Sequence, residues 1–342
     1  MEFRDNIIEW LLEEENPSIR YRTLTELLDR SVTDIQVVET KAQIAKSEPV
    51  QFIFSKMHPE GYWLYNGKGA GVEYEHWYTT HFNLGILAEL GLDKNDPKIS
   101  LAVNRYLGLQ KEDGDFLRHY SCLYGYNLRT FILLGFRHDP RVQKTIDLLL
   151  ATDRYDGGYL CEWLPHFNEK SKSCIRGSMK ALTAFSVLPE YWGTKRCKKL
   201  VEYFLKRRIY FRMSQPNRII GDDITDYPFV LTKTTFPIFF MASFLEALWA
   251  LSIMGYGERE ELNEAWQLLE TKKDKDGKYV LDDAPPFTYY RSGGGQEGVA
   301  NKWITFYAYL ALKHRKKFAG QVPCAPDTKR SQEHGATYQN TL

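Results

Sequence analysis

The sequence runs to 342 residues with 45 Lys and Arg against 44 Asp and Glu, 43% hydrophobic and 26% charged, proportions that exclude a disordered chain. A net charge of +1 argues against a nucleic-acid binder, which needs a basic face, and no apolar run reaches the ~20 residues that cross a bilayer. Aromatic residues are in excess at 14%, and five cysteines occur without a CxxC pair, as expected of reduced thiols in a cytoplasmic protein.

The first residues, Met1-Glu2-Phe3-Arg4-Asp5, lack the basic-then-apolar form of a signal peptide. Residues 5–14 and 17–29 read as a helical pair, the second opened by the Asn16-Pro17 cap. From there three signals recur in one order. A Gly turn flanked by acidic and aromatic residues appears as Glu60-Gly61-Tyr62-Trp63, Asp113-Gly114-Asp115-Phe116, Asp156-Gly157-Gly158-Tyr159 and Asp276-Gly277-Lys278-Tyr279. An apolar run ending in Gly follows at 86–91, 131–135 and 244–255. Asp96-Pro97 and Asp139-Pro140 then supply an N-cap before a Pro at the first helical position. Asp96 to Asp139 and Gly114 to Gly157 are both 43 residues, so two independent markers share one period.

Each unit holds two kinds of helix. Ile99, Val103, Tyr106 and Leu107 lie at one-sided spacing, as do Val142, Ile146, Leu149 and Leu150, and Cys197, Val201, Phe204 and Leu205. These are amphipathic helices with a wet back. By contrast 123–135, 174–188 and 236–254 are apolar round most of their circumference and are expected to be buried on both sides. Alternation of the two implies two concentric layers. The expected fold is all-α, an α/α toroid of about five to six helix pairs spanning 1–317, with an open α-solenoid as the geometric rival. Residues 318–342, poor in apolar side chains, are expected to be a disordered tail.

Gln110-Lys111-Glu112-Asp113-Gly114-Asp115-Phe116, preceded by Arg105-Tyr106-Leu107, resembles the QW repeat of squalene cyclases, with Asp153 and Lys273 at the Gln position of the other copies. Asn16-Pro17-Ser18-Ile19-Arg20-Tyr21-Arg22, Lys172-Ser173-Cys174 and 236–255 are similar to bacterial proteins with prenyltransferase and squalene-oxidase-type repeats. The resemblance covers roughly residues 5–315. It implies an α/α toroid whose central cavity takes an isoprenoid, and hence a terpenoid-cyclase or prenyl-transferring activity.

The family's catalytic motifs are not all present. Val280 stands where the Asp-x-Asp-Asp motif of protonation-initiated cyclases would need an acid before Asp282-Asp283, and no Asp-x-Cys pair of a protein prenyltransferase is evident. Asp222, Asp223 and Asp226 do fit the Asp-Asp-x-x-Asp pattern with which terpene synthases of another fold hold Mg²⁺ and diphosphate; the same residues also suit a solvated acidic turn. Cys122, Cys161, His166 and Cys174 offer the soft donors of a Zn²⁺ site, although buried free thiols are equally common. His81 and His119 are candidate acids or bases. Trp77, Tyr78, Tyr120, Tyr124, Tyr289, Tyr290 and Trp303 are candidate aromatic lining for a hydrophobic substrate, where ring faces attract a passing cation. Arg129 and Arg176, inside apolar helices, need an anion, either a structural carboxylate or a substrate group. The expected partner is thus an apolar small molecule, with no nucleic acid; contact with a membrane surface is compatible with the pattern. A Cys/His metalloenzyme and a non-catalytic lipid-binding or scaffold protein are the alternatives.

Overall fold

Helix character alternates along the chain, and the layers follow from it. The computed structural model describes residues 5–74, 76, 78–161, 170–220, 231–237, 242–283 and 295–315, and everything below concerns these. The inner helices are α2 (Pro17–Arg22, continued by a π-helical turn at Thr23–Leu27), α5 (Thr80–Glu89), α7 (Ser121–Leu133), α9 (Ile175–Ser186), α11 (Phe244–Ile253) and α13 (Lys302–Arg315). All ten residues of α5 are buried, which is why its sequence has no polar face. The outer helices include α1 (Asp5–Leu11), α3 (Ile35–Ile44), α4 (Glu48–Ser55), α6 (Pro97–Leu107), α8 (Pro140–Ala151), α10 (Lys195–Leu205) and α12 (Asn263–Glu270). In α6 only the stripe Ile99, Ala102, Val103, Tyr106 and Leu107 is buried, the one-sided pattern of its sequence.

Inner helices pack in chain order, α5 on α7, α7 on α9, α9 on α11 and α11 on α13, and α13 returns to α2 and its π turn. An Arg22–Glu89 ion pair of 2.8 Å joins α2 to α5. The ring is therefore closed, and the fold is an α/α toroid rather than an open solenoid. Outer helices α6, α8, α10 and α12 each cover the inner helix that precedes them. Neighbouring inner helices run parallel: at the start of α7 Ser121 touches Gly177, and one turn on Gly125 touches the Lys180 backbone. A Cβ at Gly125 would lie 2.8 Å from that carbonyl carbon, so the closeness of α7 and α9 depends on glycine.

The recurring Gly turn is the bolt between units. Gly114 has φ +90°, and a Cβ there would sit 2.3 Å from the Lys144 carbonyl oxygen in α8. Gln110 then donates to the Arg141 carbonyl and the Thr145 hydroxyl, both at 2.8 Å. The Gln of the QW-like motif thus fastens its turn to the next outer helix. One unit later the polarity reverses, and Arg196 of α10 donates to the carbonyls of Gly157 and Gly158 at 3.0 and 2.8 Å. Asp96 and Asp139 cap α6 and α8 through the amides of Lys98 and Arg141, each at 2.8 Å.

One expected element is shorter than its apolar run. Helix is anticipated from residue 236, but α11 begins at Phe244, where the Ser243 hydroxyl accepts from the Leu245 amide at 3.2 Å. Pro237 has no N–H to offer a helix, and the apolar side chains before it serve packing: Phe236 stacks on Trp303 at 4.4 Å. Residues 318–342 lie outside the described residues. Among the described residues no helix is long and apolar enough to cross a membrane.

Gly114→Ala should destabilise the fold by about 1–3 kcal/mol, the cost of a side chain in left-handed backbone; chemical denaturation would read it, and an unchanged midpoint would count against the bolt.

Candidate functional site

Two layers of chemistry lie along the axis of the ring. The lower one takes one polar side chain from each inner helix: Arg22, Glu89, Arg129, Lys180, Glu246 and Tyr307, all buried. Glu89 is the centre of one cluster. It accepts from Arg22 at 2.8 Å and more closely from Arg129 and Tyr307, and Arg22 also donates to Tyr307 at 2.8 Å and to Glu26 at 2.9 Å. Burial would push the Glu89 carboxyl up, but Arg129 and Arg22 outweigh it and hold the group at about 2. Lys180 and Glu246 form a second pair at 2.7 Å. Here desolvation wins over pairing: burial lifts the Glu246 carboxyl and lowers the Lys180 ammonium, driving both toward their neutral forms. The Arg129 guanidinium also lies 5.3 Å from the Trp249 ring centre. Charged and aromatic side chains therefore fill the ring at mid-depth, where the sequence suggested an apolar cavity.

The upper layer stands at the N-terminal ends of α5, α7 and α9. Tyr74 packs edge-on against Tyr120 at 5.4 Å and beside His81 at 6.5 Å, and His81 meets the edge of Tyr126 at 6.4 Å. Tyr78 contacts Tyr65 at 5.3 Å and Phe82 at 6.0 Å. Three sulfurs join these rings. The Tyr74 hydroxyl is 2.8 Å from Cys122 Sγ, which is 2.8 Å from Cys161 Sγ; the Cys122 amide donates to Cys161 Sγ at 3.4 Å, and Cys174 bonds to Cys161 from the cap of α9. An isolated Tyr120–Cys161 backbone bridge brings the segment 159–161 to the start of α7.

Burial favours the neutral form of several groups in this layer. It holds the His81 imidazole down at about 3, so it is neutral at physiological pH. The Cys161 thiol is pushed up chiefly by burial, and the Cys174 thiol chiefly by its hydrogen bond to Cys161. Burial, with Cys122 close by, does the same to the Tyr74 phenol. This end of the ring is lined by aromatic rings and thiols, with the ion pairs below.

Two residues at the mouth hold unusual backbone. Tyr78 has φ +66° and His119 φ +50°, each two residues before an inner helix. Buried side chains brace both: Asn83 donates to the Tyr78 carbonyl at 2.6 Å, and the Asp115 carboxylate accepts from the His119 amide at 2.6 Å. Neither brace is evident from sequence, because each acts on backbone a few residues away; the only hint is Asp115 doubling the acid of a Gly turn.

Of the expected site residues, the structure brings together Tyr78, His81, Tyr120, Cys122, Cys161 and Cys174. Arg176 lies two residues after Cys174, at the second position of α9. His119 is exposed on the outer rim, 3.8 Å from Asp113. Three others lie away from the mouth. Arg129 is committed to Glu89, Tyr124 is buried in α7 and bonds to Thr152 at the end of α8, and Trp303 is buried against Phe236. Trp77, His166, Asp222, Asp223, Asp226, Tyr289 and Tyr290 lie outside the described residues. Among the described residues no group of three or more His, Cys, Asp and Glu has the arrangement of a metal site.

No family model and no curated protein matches the sequence. Solved structures do share its shape. A glycosyl hydrolase family 88 protein from Bacteroides vulgatus is similar with a TM-score of 0.51 at 14% identity, over 92% of this chain and 98% of that one. A polysaccharide lyase gives 0.48 at 14% identity, over 92% and 90%. A type II terpene cyclase from Scytonema gives 0.30 at 12% identity, over 80% and 97%. The chain is an α/α toroid. At such identities the likeness is one of fold, and architecture alone does not set the substrate.

Glu89→Gln should cost about 3–5 kcal/mol at neutral pH by removing the carboxylate of the buried Arg129 and leaving Arg22 with Glu26 alone. Because Glu89 is held below its ordinary value, its contribution is full above about pH 4.5 and fades toward pH 2; the gap between wild type and variant should close over that window in acid-unfolding curves. The His81 ring should show no NMR titration between about pH 5 and 8, and a shift there would contradict its burial.

Proposed function

We propose that this toroid is an enzyme of the terpenoid-cyclase or prenyl-transferring kind, taking an apolar, isoprenoid-type substrate at the mouth formed by the starts of α5, α7 and α9. The observation that carries this is the chemistry of the lining: the rings of Tyr74, Tyr78, His81, Tyr120 and Tyr126 with the sulfurs of Cys122 and Cys161, with no carboxylate, ammonium or guanidinium group among them. Such a surface offers little to a polar or anionic molecule. It offers dispersion to a hydrocarbon, and ring faces attract a developing carbocation without trapping it as a carboxylate or amine would. The filled ion layer beneath gives the mouth a floor, so the substrate sits in the upper part of the ring.

The test is incubation of the purified chain with prenyl diphosphates and with linear polyprenyl alcohols, with and without Mg²⁺, followed by product analysis. Cyclised or transferred product is expected. Tyr74→Ala and Tyr120→Ala should reduce turnover by 10-fold or more, from the loss of about 1–2 kcal/mol of cation stabilisation per ring. Loss of activity in Asp222→Asn with Asp223→Asn would assign diphosphate binding to that acidic segment; unchanged activity would remove it. Absence of turnover and of binding for every isoprenoid would overturn the proposal.

A further inference from the structure

The charge of this chain is balanced only on average. Residues 195–218, covering α10 and the turn after it, carry nine of its 45 basic residues and a single acidic one, Glu202. Arg196 is spent on the 157–158 turn, and Arg208 is paired with Glu264 at 2.6 Å. Lys195, Lys198 and Lys206 are different. They project from the wet face of α10 at one-sided spacing, are exposed, and make no hydrogen bond or ion pair with any described residue. They line a groove of about 580 Å³ that Arg154, Lys199 and the 155–157 turn complete. Of the two acids that line it, Asp156 is engaged by Ser173, which leaves Glu202 as the one exposed carboxylate among Lys195, Lys198, Lys199 and Lys206; Asp153 nearby is paired with Lys199. A large side chain lines this basic strip in the open: Tyr155 is 66% exposed.

We propose that the wet face of α10, with Tyr155 at its edge, is a docking surface for a lipid bilayer bearing anionic headgroups. Unpaired lysines on one helix face supply long-range attraction that adds up residue by residue near a negative surface. The exposed Tyr155 supplies shallow insertion at headgroup depth, which a rigid polyanion such as a nucleic-acid duplex would leave in water. The whole chain carries +1 while residues 195–218 alone carry nine basic residues and one acidic, so the rest of the sequence is net negative and the attraction is directional. The turn that edges the groove runs on through Tyr159 to Cys161, so the docked face adjoins the mouth. This surface stands independently of the chemistry proposed for the mouth.

Vesicle co-sedimentation of the full chain tests it, using phosphatidylcholine with and without phosphatidylserine. Binding should require phosphatidylserine and be lost at high NaCl. The combined variant Lys195→Gln, Lys198→Gln, Lys206→Gln should weaken it on the order of 100-fold, and Tyr155→Ala by a few-fold. A control with the same charge change elsewhere, Lys46→Gln, Lys94→Gln, Lys98→Gln, should bind as wild type. Equal binding to uncharged vesicles, an equal loss in the control, or preference for duplex DNA over vesicles in direct competition would each overturn the proposal.

Discussion

The ring is held shut by a buried carboxylate. Glu89, at the end of α5, receives Arg22 from the first inner helix, Arg129 from the third and Tyr307 from the last. It thereby ties together residues 285 positions apart in sequence, the separation of Arg22 and Tyr307. No single helix could supply this, and the charges are expensive in the interior unless every partner is in place. Closure and composition therefore depend on each other: an open solenoid would part Tyr307 of the last inner helix from both Arg22 and Glu89.

The same constraint shapes the site. Because charged groups fill the mid-depth of the ring, what remains for chemistry is the shallower layer at the inner-helix N-termini. There burial lowers His81 and, together with the neighbouring sulfurs, raises Cys161, Cys174 and Tyr74, so the neutral forms of these groups are favoured. A charged floor beneath a polarisable lining follows from one cause, the choice of which layer receives the guanidinium and carboxylate groups. Left-handed backbone at Tyr78 and His119, braced by Asn83 and Asp115, lies at the equivalent place in two successive units. The repeat thus carries the site geometry as well as the fold.

Helix type, layer and period were legible in the residues. The 43-residue spacing, the Asp-Pro caps and the contrast between one-sided and all-round apolar helices are local properties, and local hydrogen bonding and side-chain spacing produce them directly. The resemblance of Gln110 and the Gly turn to a QW repeat likewise has a local meaning, a turn fastened to the next helix. Less of the site was legible. Tyr120, Cys122, Cys161 and Cys174 were singled out and do meet, but so were Tyr124 and Trp303, which pack elsewhere, because an aromatic in an inner helix has the same sequence signature whichever way its helix is rotated.

The sequence by itself determined a two-layered helical repeat and its units, since periodicity is fixed within each segment. Only the tertiary structure decided that the ring closes, that Arg129 answers Glu89, and that the thiols at 122, 161 and 174 share one pocket. These are contacts between residues 13 to 285 positions apart. Their formation depends on the curvature accumulated over all the helix pairs, a quantity that no single repeat contains.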